Sequence, residues 1–233
     1  MNDVNQLLLN FNQKKNFDSD DFYVSKSNFF AYETINKWPK WEKKILNIHG
    51  EKYSGKTHLS KIFQKKSKTK KILENEINDE IFKELRLYES IILDNFKNKS
   101  NERILYSLFN FVDQNNKYLL ITSEIPINKI NFELDDLNSR AKNCLFAKIE
   151  IPDDDLIFAI ILKNFSDKQI KIEKKLIEFI IKRIDRSYSK IYDFIYKLDE
   201  LSLKKKKPIN LKTIKEILKV ENWANIEHIL VTS

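Results

Sequence analysis

Glycine is almost absent from this chain, whose 233 residues contain only Gly50 and Gly55. Both lie in the octapeptide of residues 50–57, which matches the phosphate-binding pattern G-x-x-x-x-G-K-[ST]. In such a loop, backbone N–H groups surround a polyphosphate, the lysine reaches its outer phosphates and the hydroxyl holds Mg²⁺. Glycine is kept where backbone must approach phosphate closely. The predicted nucleotide-binding residues are therefore Gly50, Ser54, Gly55, Lys56 and Thr57.

The order of predicted elements around the octapeptide also fits a phosphate loop. Ile45–Ile48 predicts a short buried strand before it, and Thr57–Gln64 predicts an amphipathic helix after it. Further strand candidates are Lys70–Leu73, Ser90–Leu93, Tyr118–Thr122 and Phe146–Ile151. Helical patterns fall between the strands or before the first, at Asn28–Trp38, Asp79–Leu85, Asn101–Gln114 and Leu134–Arg140. This alternation predicts a parallel sheet with helices on both faces and ligands at its carboxyl edge.

After Pro152 the pattern changes to helices alone, because apolar residues recur there at spacings of three and four. The predicted helices are Leu156–Phe165, Glu173–Ile184, Tyr188–Leu201 and Leu211–Val220. The expected fold class is therefore α/β, with a P-loop parallel sheet followed by a small all-α lid. The expected divisions are a nucleotide-binding base at 17–152 and a lid at 153–221, between a flexible segment at 1–16 and a tail at 222–233.

Composition predicts a soluble, reduced, cytoplasmic protein. Apolar residues make up 42% of the chain, enough for a core, and no apolar run approaches the ~18 residues that cross a bilayer. The single cysteine, Cys144, excludes an internal disulfide. The net charge of +8 invites a nucleic-acid interpretation, but a composition rich in Lys, Asn and Ile explains it equally well. Charge alone therefore decides little.

A second nucleotide signal is the apolar strand Ser90–Leu93, which runs directly into Asp94. An acid at the end of a buried strand beside a phosphate loop holds Mg²⁺ through water. Standing alone, Asp94 would be read as a cap on the next turn. The following residue is Asn95, whose amide can orient a water but cannot take its proton. The sequence therefore predicts a nucleotide binder with slow hydrolysis at best.

Five segments in the correct order resemble the AAA+ ATPases of the DnaA clade, and within it the Hda subgroup, regulatory inactivators of the initiator DnaA. The segments are Asp21–Asn28, Gly55–Leu59, Tyr118–Glu124, Asp136–Arg140 and Ile184–Tyr188. The resemblance spans nearly the whole chain. It implies an AAA+ base with a helical lid, ADP or ATP with Mg²⁺ as cofactor, and DnaA as partner, and it leaves homo-oligomerisation open.

The resemblance implies that Arg140 is an arginine finger that acts in trans. The matching arginine in the clade contacts the γ-phosphate of a neighbouring subunit's ATP, where a guanidinium stabilises the charge that develops in phosphoryl transfer. Arg140 would thus complete the ATPase site of DnaA and convert the active ATP form to the inactive ADP form. The alternative is an ion pair with Asp135 or Asp136 at the end of a helix.

Other roles implied by the resemblance concern the chain's own nucleotide. Phe22 and Val24 match the segment that contacts adenine, and Arg186 matches the lid arginine that reaches the phosphates. For Arg186, a surface salt bridge with Asp185 or Glu178 is the competing interpretation. The family resemblance and Asn95 both favour ADP over ATP as the resident nucleotide.

Near the N-terminus, residues 6–11 resemble the short motif with which proteins dock on the bacterial sliding clamp, the β subunit of DNA polymerase III. Gln6 can hydrogen-bond in a polar slot while Leu7, Leu9 and Phe11 enter an apolar groove. The alternative is that these apolar residues pack on the base. At the other end, the sequence stops soon after the lid, so we expect no DNA-reading domain and contact with DNA mainly through the clamp.

Two residues depart from the clade's pattern, and they bear on nucleotide affinity and on the sensor role of Glu124. Tyr53 replaces the middle glycine of the phosphate loop, so a positive φ there would strain the backbone and lower nucleotide affinity. Glu124 stands where relatives often have Asp. A helicase-loader-like ATPase and a DNA-binding AAA+ module remain as alternatives. The first would normally keep a second acid at position 95, and the second predicts a steep salt dependence of duplex binding.

Overall fold

The computed structural model describes residues 22–99, 101–205 and 209–220. In these ranges five parallel strands form one sheet in the order β2-β3-β4-β1-β5. Their bounds are β1 Ile45–His49, β2 Thr69–Ile72, β3 Ser90–Phe96, β4 Tyr118–Ser123 and β5 Leu145–Lys148. The predicted parallel sheet is confirmed, and its central strands are buried, as their near-continuous apolar runs require.

Helices cover both faces of this sheet, as the βα alternation predicted. Successive strand residues point to opposite faces, so Ile91 and Leu93 pack in one apolar core while Ile92 packs in the other. The helices of this part are α1 Phe29–Asn36, α2 Lys56–Gln64, α3 Ile81–Leu85, α4 Glu102–Gln114 and α5 Asp135–Lys142. Together they make the α/β arrangement that the sequence predicted.

The last four described helices share a third apolar core, and we call them the C-terminal helices. They are α6 Asp154–Asp167, α7 Lys174–Ile181, α8 Tyr188–Lys205 and α9 Leu211–Val220. Two of their residues, Leu156 and Tyr188, are buried in the core that also contains Leu46 and Phe63 of the sheet part. The C-terminal helices are therefore packed against the phosphate-loop side of the sheet.

Two predicted strand ends are wrong in an instructive way. β3 continues past Leu93 to Phe96, with an irregularity of register at the point where Asp94 and Asn95 lie. β5 ends at Lys148 rather than at Ile151, because the chain then leaves the sheet. There the Glu150 amide donates to the carbonyl of Ser27, just before α1. Hydrophobic patterning could not reveal either change, since both depend on hydrogen bonds to distant segments.

Some expectations fall outside the described residues. These expectations concern the clamp-like motif at residues 6–11 and the tail at residues 222–233. Within the described ranges, no helix is both long enough and apolar enough to cross a membrane.

Candidate nucleotide-binding site

The phosphate loop connects β1 to α2, and its fold requires both glycines. Gly55 has φ +96°, in the left-handed region, and forms the N-cap of α2. A Cβ on Gly50 would lie 2.9 Å from the carbonyl oxygen of Ile149, closer than packing allows. Both positions therefore demand glycine from the backbone alone, before any ligand is considered.

Lys56 and Ser54 are the buried polar side chains of this loop. The Lys56 ammonium donates to the carbonyl oxygens of Gly50 and Glu51, at 2.7 and 2.8 Å. Burial lowers the pKa of Lys56, and nearby carboxylates oppose that shift. The Ser54 hydroxyl has no hydrogen-bond partner among the described residues, although it is buried. Because buried polar groups nearly always have a partner, this hydroxyl fits a loop built to receive phosphate oxygens.

Asp94 lies at the carboxyl end of β3 and is 5% exposed. Its Oδ1 accepts a hydrogen bond of 2.6 Å from the hydroxyl of Thr122 on β4. Its Oδ2 lies 2.6 Å from the ammonium of Lys71 on β2. The charges of Glu124 and of Asp94 partly oppose the lowering of the Lys56 pKa by burial, which agrees with an acid close to the phosphate loop. The structure thus brings Asp94 to the loop, and it adds a lysine that the sequence analysis did not anticipate.

Asn95 adopts φ +58°, a left-handed conformation that asparagine tolerates better than most residues. Its side chain is exposed, and its backbone N–H donates to the Thr122 hydroxyl at 2.8 Å. The residue after Asp94 is therefore fixed by its backbone, while its amide side chain faces solvent. That amide cannot act as a general base.

Glu51, the second residue of the loop, caps the N-terminus of α8. Its carboxylate accepts hydrogen bonds from the backbone N–H groups of Tyr188 at 3.0 Å and Ser189 at 3.2 Å, and from the Ser187 hydroxyl. Burial alone would raise the pKa of Glu51, but these hydrogen bonds outweigh it and lower the pKa. The phosphate loop and the C-terminal helices are thus joined by a carboxylate at a helix N-terminus.

Tyr53, the residue in place of the clade's middle glycine, has φ +69°. The condition for backbone strain stated in the sequence analysis is therefore fulfilled. The Tyr53 ring lies 5.4 Å from the ring of Tyr192 on α8, centroid to centroid. This contact is a second connection between the loop and the C-terminal helices, and it helps to hold an unfavourable backbone conformation in place.

Phe22, predicted to contact adenine, packs directly on the phosphate loop. A Cβ on Gly55 would lie 3.2 Å from the Phe22 ring, which stacks on Tyr32 and meets the edge of His58. Val24 is half-buried nearby in sequence. The segment before α1 therefore lies against the start of α2.

The predicted Mg²⁺ ligands, Thr57 and Asp94, come from two elements next to each other. Thr57 is in the first turn of α2, the loop's helix, and is exposed. Across the described residues, no cluster of three or more His, Cys, Asp or Glu side chains could hold a metal ion by itself. A hydroxyl and a carboxylate suit a Mg²⁺ ion that takes its other ligands from phosphates and water. The donor set fits the ion by type.

The two predicted functional arginines make ion pairs that the sequence analysis did not foresee. Arg186 lies 2.6 Å from Asp154 at the start of α6, not beside Asp185 or Glu178. Arg140 pairs with Asp113 on α4, not with Asp135 or Asp136, and its guanidinium carbon lies 5.4 Å from the centre of the Tyr106 ring. The alternative partners named from sequence were therefore wrong in both cases. Local spacing suggested them, whereas the observed partners are on other helices.

Sequence reasoning missed Glu51, Lys71, Thr122 and Tyr192. Thr122 could have been found, because the carboxyl ends of neighbouring parallel strands meet at one edge of the sheet. Lys71 was concealed in the basic run of residues 65–71, where the sequence does not distinguish one lysine from the next. Glu51 and Tyr192 act between the loop and the C-terminal helices, and no sequence pattern reported that packing.

Comparisons with known proteins show what this chain is similar to. No family model matches the chain. The DnaA chromosomal replication initiator protein of Buchnera aphidicola subsp. Cinara cedri (strain Cc) is 27% identical over a 240-residue alignment, which covers 91% of this chain and 55% of that protein. The chain spans about half the length of the curated relatives that it matches.

Among solved structures, domain III of Thermotoga maritima DnaA superposes with a TM-score of 0.71 at 21% identity, covering 88% of this chain and 96% of that one. AMPPCP-bound DnaA from Aquifex aeolicus gives 0.66 at 18% identity, covering 87% and 68%. At such identities these structures show the fold alone, which is the AAA+ fold of DnaA domain III. The chain is thus similar in sequence to DnaA proteins and similar in fold to DnaA domain III.

Proposed function

We propose that this chain is a nucleotide-binding regulator of replication initiation that acts as Hda does. The observation that carries the proposal is the similarity to DnaA over 91% of the chain, in a molecule whose Asp94 is followed by Asn95. Such a chain can hold a nucleotide, yet it lacks the second acid that would activate water. We expect weak ATP turnover of its own.

The resident nucleotide in this proposal is ADP or ATP with Mg²⁺. The orphan Ser54 hydroxyl and the buried Lys56 ammonium support phosphate binding in the loop, and a DnaA of similar fold is described as AMPPCP-bound. Bound Mg²⁺ would neutralise phosphate charge, held by Thr57 and Asp94. Phe22 and Val24 would meet the adenine, and Arg186 would turn from Asp154 towards the phosphates.

Arg140 is the residue that would act on DnaA. Its side chain is 32% exposed and is held by one ion pair and one aromatic ring, so the guanidinium can be presented to a second protein. Arginine fingers in GTPases accelerate hydrolysis by ~10³–10⁵. We propose that Arg140 leaves Asp113 for the ATP of a neighbouring DnaA subunit, whose hydrolysis then prevents re-initiation.

The second partner is the sliding clamp, met through Gln6, Leu7, Leu9 and Phe11, which lie outside the described residues. The clamp would deliver the protein to DNA that has just been replicated, in the cytoplasm at the replication machinery. A short peptide in a clamp groove gives weak binding by itself, so DNA would be reached mainly through the clamp.

The test is ATP turnover by cognate DnaA in the presence of DNA-loaded clamp, with this protein added. We expect clamp-dependent acceleration that is lost in Arg140→Ala and in the double variant Gln6→Ala/Leu9→Ala. No acceleration by the folded wild-type protein would contradict the proposal and favour the helicase-loader-like or DNA-binding alternatives.

A matched control separates the trans role of Arg140 from a structural one. Asp113→Asn removes the same ion pair but leaves the guanidinium. We expect this variant to accelerate DnaA turnover at least as well as the wild type, because the arginine is released. If Arg140→Ala and Asp113→Asn lost the acceleration of DnaA turnover equally, the ion pair would matter only for folding.

A further inference from the structure

A carboxylate that binds Mg²⁺ does not require positively charged side chains beside it, yet Asp94 has one. Lys71 on β2 makes an ion pair with it, and Lys56 and Lys61 are both on α2. Burial is the main cause that lowers the pKa of Lys61, the charge of Lys71 lowers it further, and Asp94 raises it. The charges of Lys71 and Asp94 thus both reach Lys61.

Both oxygens of Asp94 are already bonded. Oδ1 accepts from Thr122, and Oδ2 lies 2.6 Å from the Lys71 ammonium. Such a short contact between opposite charges is a charge-assisted hydrogen bond, the stronger kind. Asp94 is buried, so solvent screens this attraction less than it would at the surface.

We propose that Lys71 is a built-in counter-charge at Asp94 that replaces part of the charge of Mg²⁺, so that this chain still binds ADP when no divalent cation is present. The proposal rests on the nucleotide site of the proposed function. A hydrated Mg²⁺ would compete with the ammonium for Oδ2, which weakens its hold on the acid. The ammonium keeps its own positive charge near the phosphates.

The geometry supports Lys71 in this role and no neighbouring lysine on the same strand. Lys71 lies next to Ile92 in the register between β2 and β3, and its ammonium reaches Asp94 two residues further on. Lys70, its neighbour, points to the other face and pairs with Glu84 on α3. Lys70 and Lys71 are therefore neighbours of the same residue type with different ion-pair partners, and Lys70 can serve as the matched control.

The experiment is calorimetric titration of the nucleotide-stripped protein with ADP, once in excess Mg²⁺ and once in EDTA. The measured quantity is the ratio of the Kd in EDTA to the Kd in Mg²⁺. For the wild type we expect a ratio below about 5, and for Lys71→Met a ratio at least about tenfold higher, because the buried Asp94 has lost its charge partner. Lys70→Met should keep the wild-type ratio.

Two further variants guard against trivial explanations. Lys71→Arg keeps the charge and should keep the wild-type ratio, whereas Lys71→Gln should behave as Lys71→Met does. Thermal unfolding of each variant shows whether it is folded before titration. A wild-type ratio above about 5, or an unchanged ratio in Lys71→Met, would overturn the proposal. A ratio in Lys71→Arg as high as that in Lys71→Met would also overturn the proposal.

The ADP titration and the DnaA assay test the two proposals independently. If DnaA turnover is accelerated but the ratio does not depend on Lys71, the inference alone is wrong. If the ratio behaves as expected but DnaA turnover is unchanged, the regulatory proposal is wrong and the inference stands. If ADP binds in neither condition, the inference and the nucleotide-binding part of the proposed function are both wrong.

Discussion

The phosphate loop and the surface around Arg140 are built in opposite ways. In the loop, Lys56 is 8% exposed and bonded to backbone carbonyls, while Glu51 is bonded to the start of α8. Arg140 is held at the surface by one carboxylate, Asp113, which is itself 48% exposed. The loop is fixed by many contacts inside the molecule, whereas Arg140 is restrained by few.

Under the proposed function, this difference separates residues that bind the chain's own nucleotide from a residue that acts on a second protein. A ligand that enters the chain's own loop meets groups that are already in position, so little ordering remains to be done on binding. A residue that serves a second protein must be able to leave its own partner, and a surface ion pair of about 0–1 kcal/mol allows that. Substitutions in the loop should therefore have larger effects on the isolated protein than substitutions at Arg140.

The largest effect is expected from Lys56→Met. The variant removes the charged donor that the loop carbonyls hold in place. Since hydrogen bonds to charged groups contribute about 1.5–3 kcal/mol, ADP affinity should fall by roughly a hundredfold. The control is Lys52→Met, an exposed lysine of the same loop, whose ADP Kd should stay near the wild-type value. Equal losses in both variants would show that overall charge, and not the position of Lys56, sets the affinity.

The next effect is that of Glu51→Ala on stability. The variant leaves the first N–H groups of α8 without their acceptor, and the loss of such a cap costs about 1 kcal/mol. Chemical denaturation of the C-terminal helices should report this loss. Glu80→Ala is the matched control, because Glu80 stands at the N-cap of α3 without a side-chain hydrogen bond to it. A cost as large in Glu80→Ala would contradict the assignment of Glu51 as a cap.

The Glu51 cap also predicts a pH dependence. The pKa of Glu51 is lowered in the folded protein, so the carboxylate stabilises the fold fully at pH values above its unfolded pKa of about 4.3. As the pH falls through the lower folded pKa, the carboxylate is protonated and its contribution disappears. The stability difference between wild type and Glu51→Ala should therefore shrink below about pH 4. A difference that is constant down to pH 3 would mean that the charge of Glu51 does not contribute.

The sequence predicted the architecture better than the connections between its parts. The strand-loop-helix unit around Gly50 and Gly55 was predictable because a short pattern determines it locally. The position of Asp94 followed from the rule for carboxyl ends of parallel strands. The ion-pair partners of Arg140, Arg186 and Asp94 were not predictable, since each ion pair joins elements that are distant in sequence. Sequence spacing reports neighbours on one helix and says little about neighbours across a fold.

A smaller effect is expected at Tyr53, where two contributions oppose each other. Tyr53→Gly relieves a backbone with φ +69° but loses the ring contact with Tyr192. An aromatic pair and a left-handed residue are each worth about 1 kcal/mol, so the unfolding free energy should change little. Tyr53→Ala loses the ring and keeps the strain, so it should be less stable than Tyr53→Gly by about 1 kcal/mol. If Tyr53→Ala were the more stable variant, the proposed strain would be absent in solution.

The smallest effect on the isolated protein should come from Arg140→Ala. This variant tests most directly the difference between the phosphate loop and the surface around Arg140. The lost ion pair with Asp113 lies at the surface, so the unfolding free energy should fall by no more than about 1 kcal/mol. The ADP affinity should not change, because the chain's own loop does not use this arginine. The acceleration of DnaA turnover should nevertheless be lost, as expected for a residue that serves a partner. If Arg140→Ala instead weakened ADP binding as strongly as Lys56→Met, the two regions would be parts of one site, and the division drawn between them would be wrong.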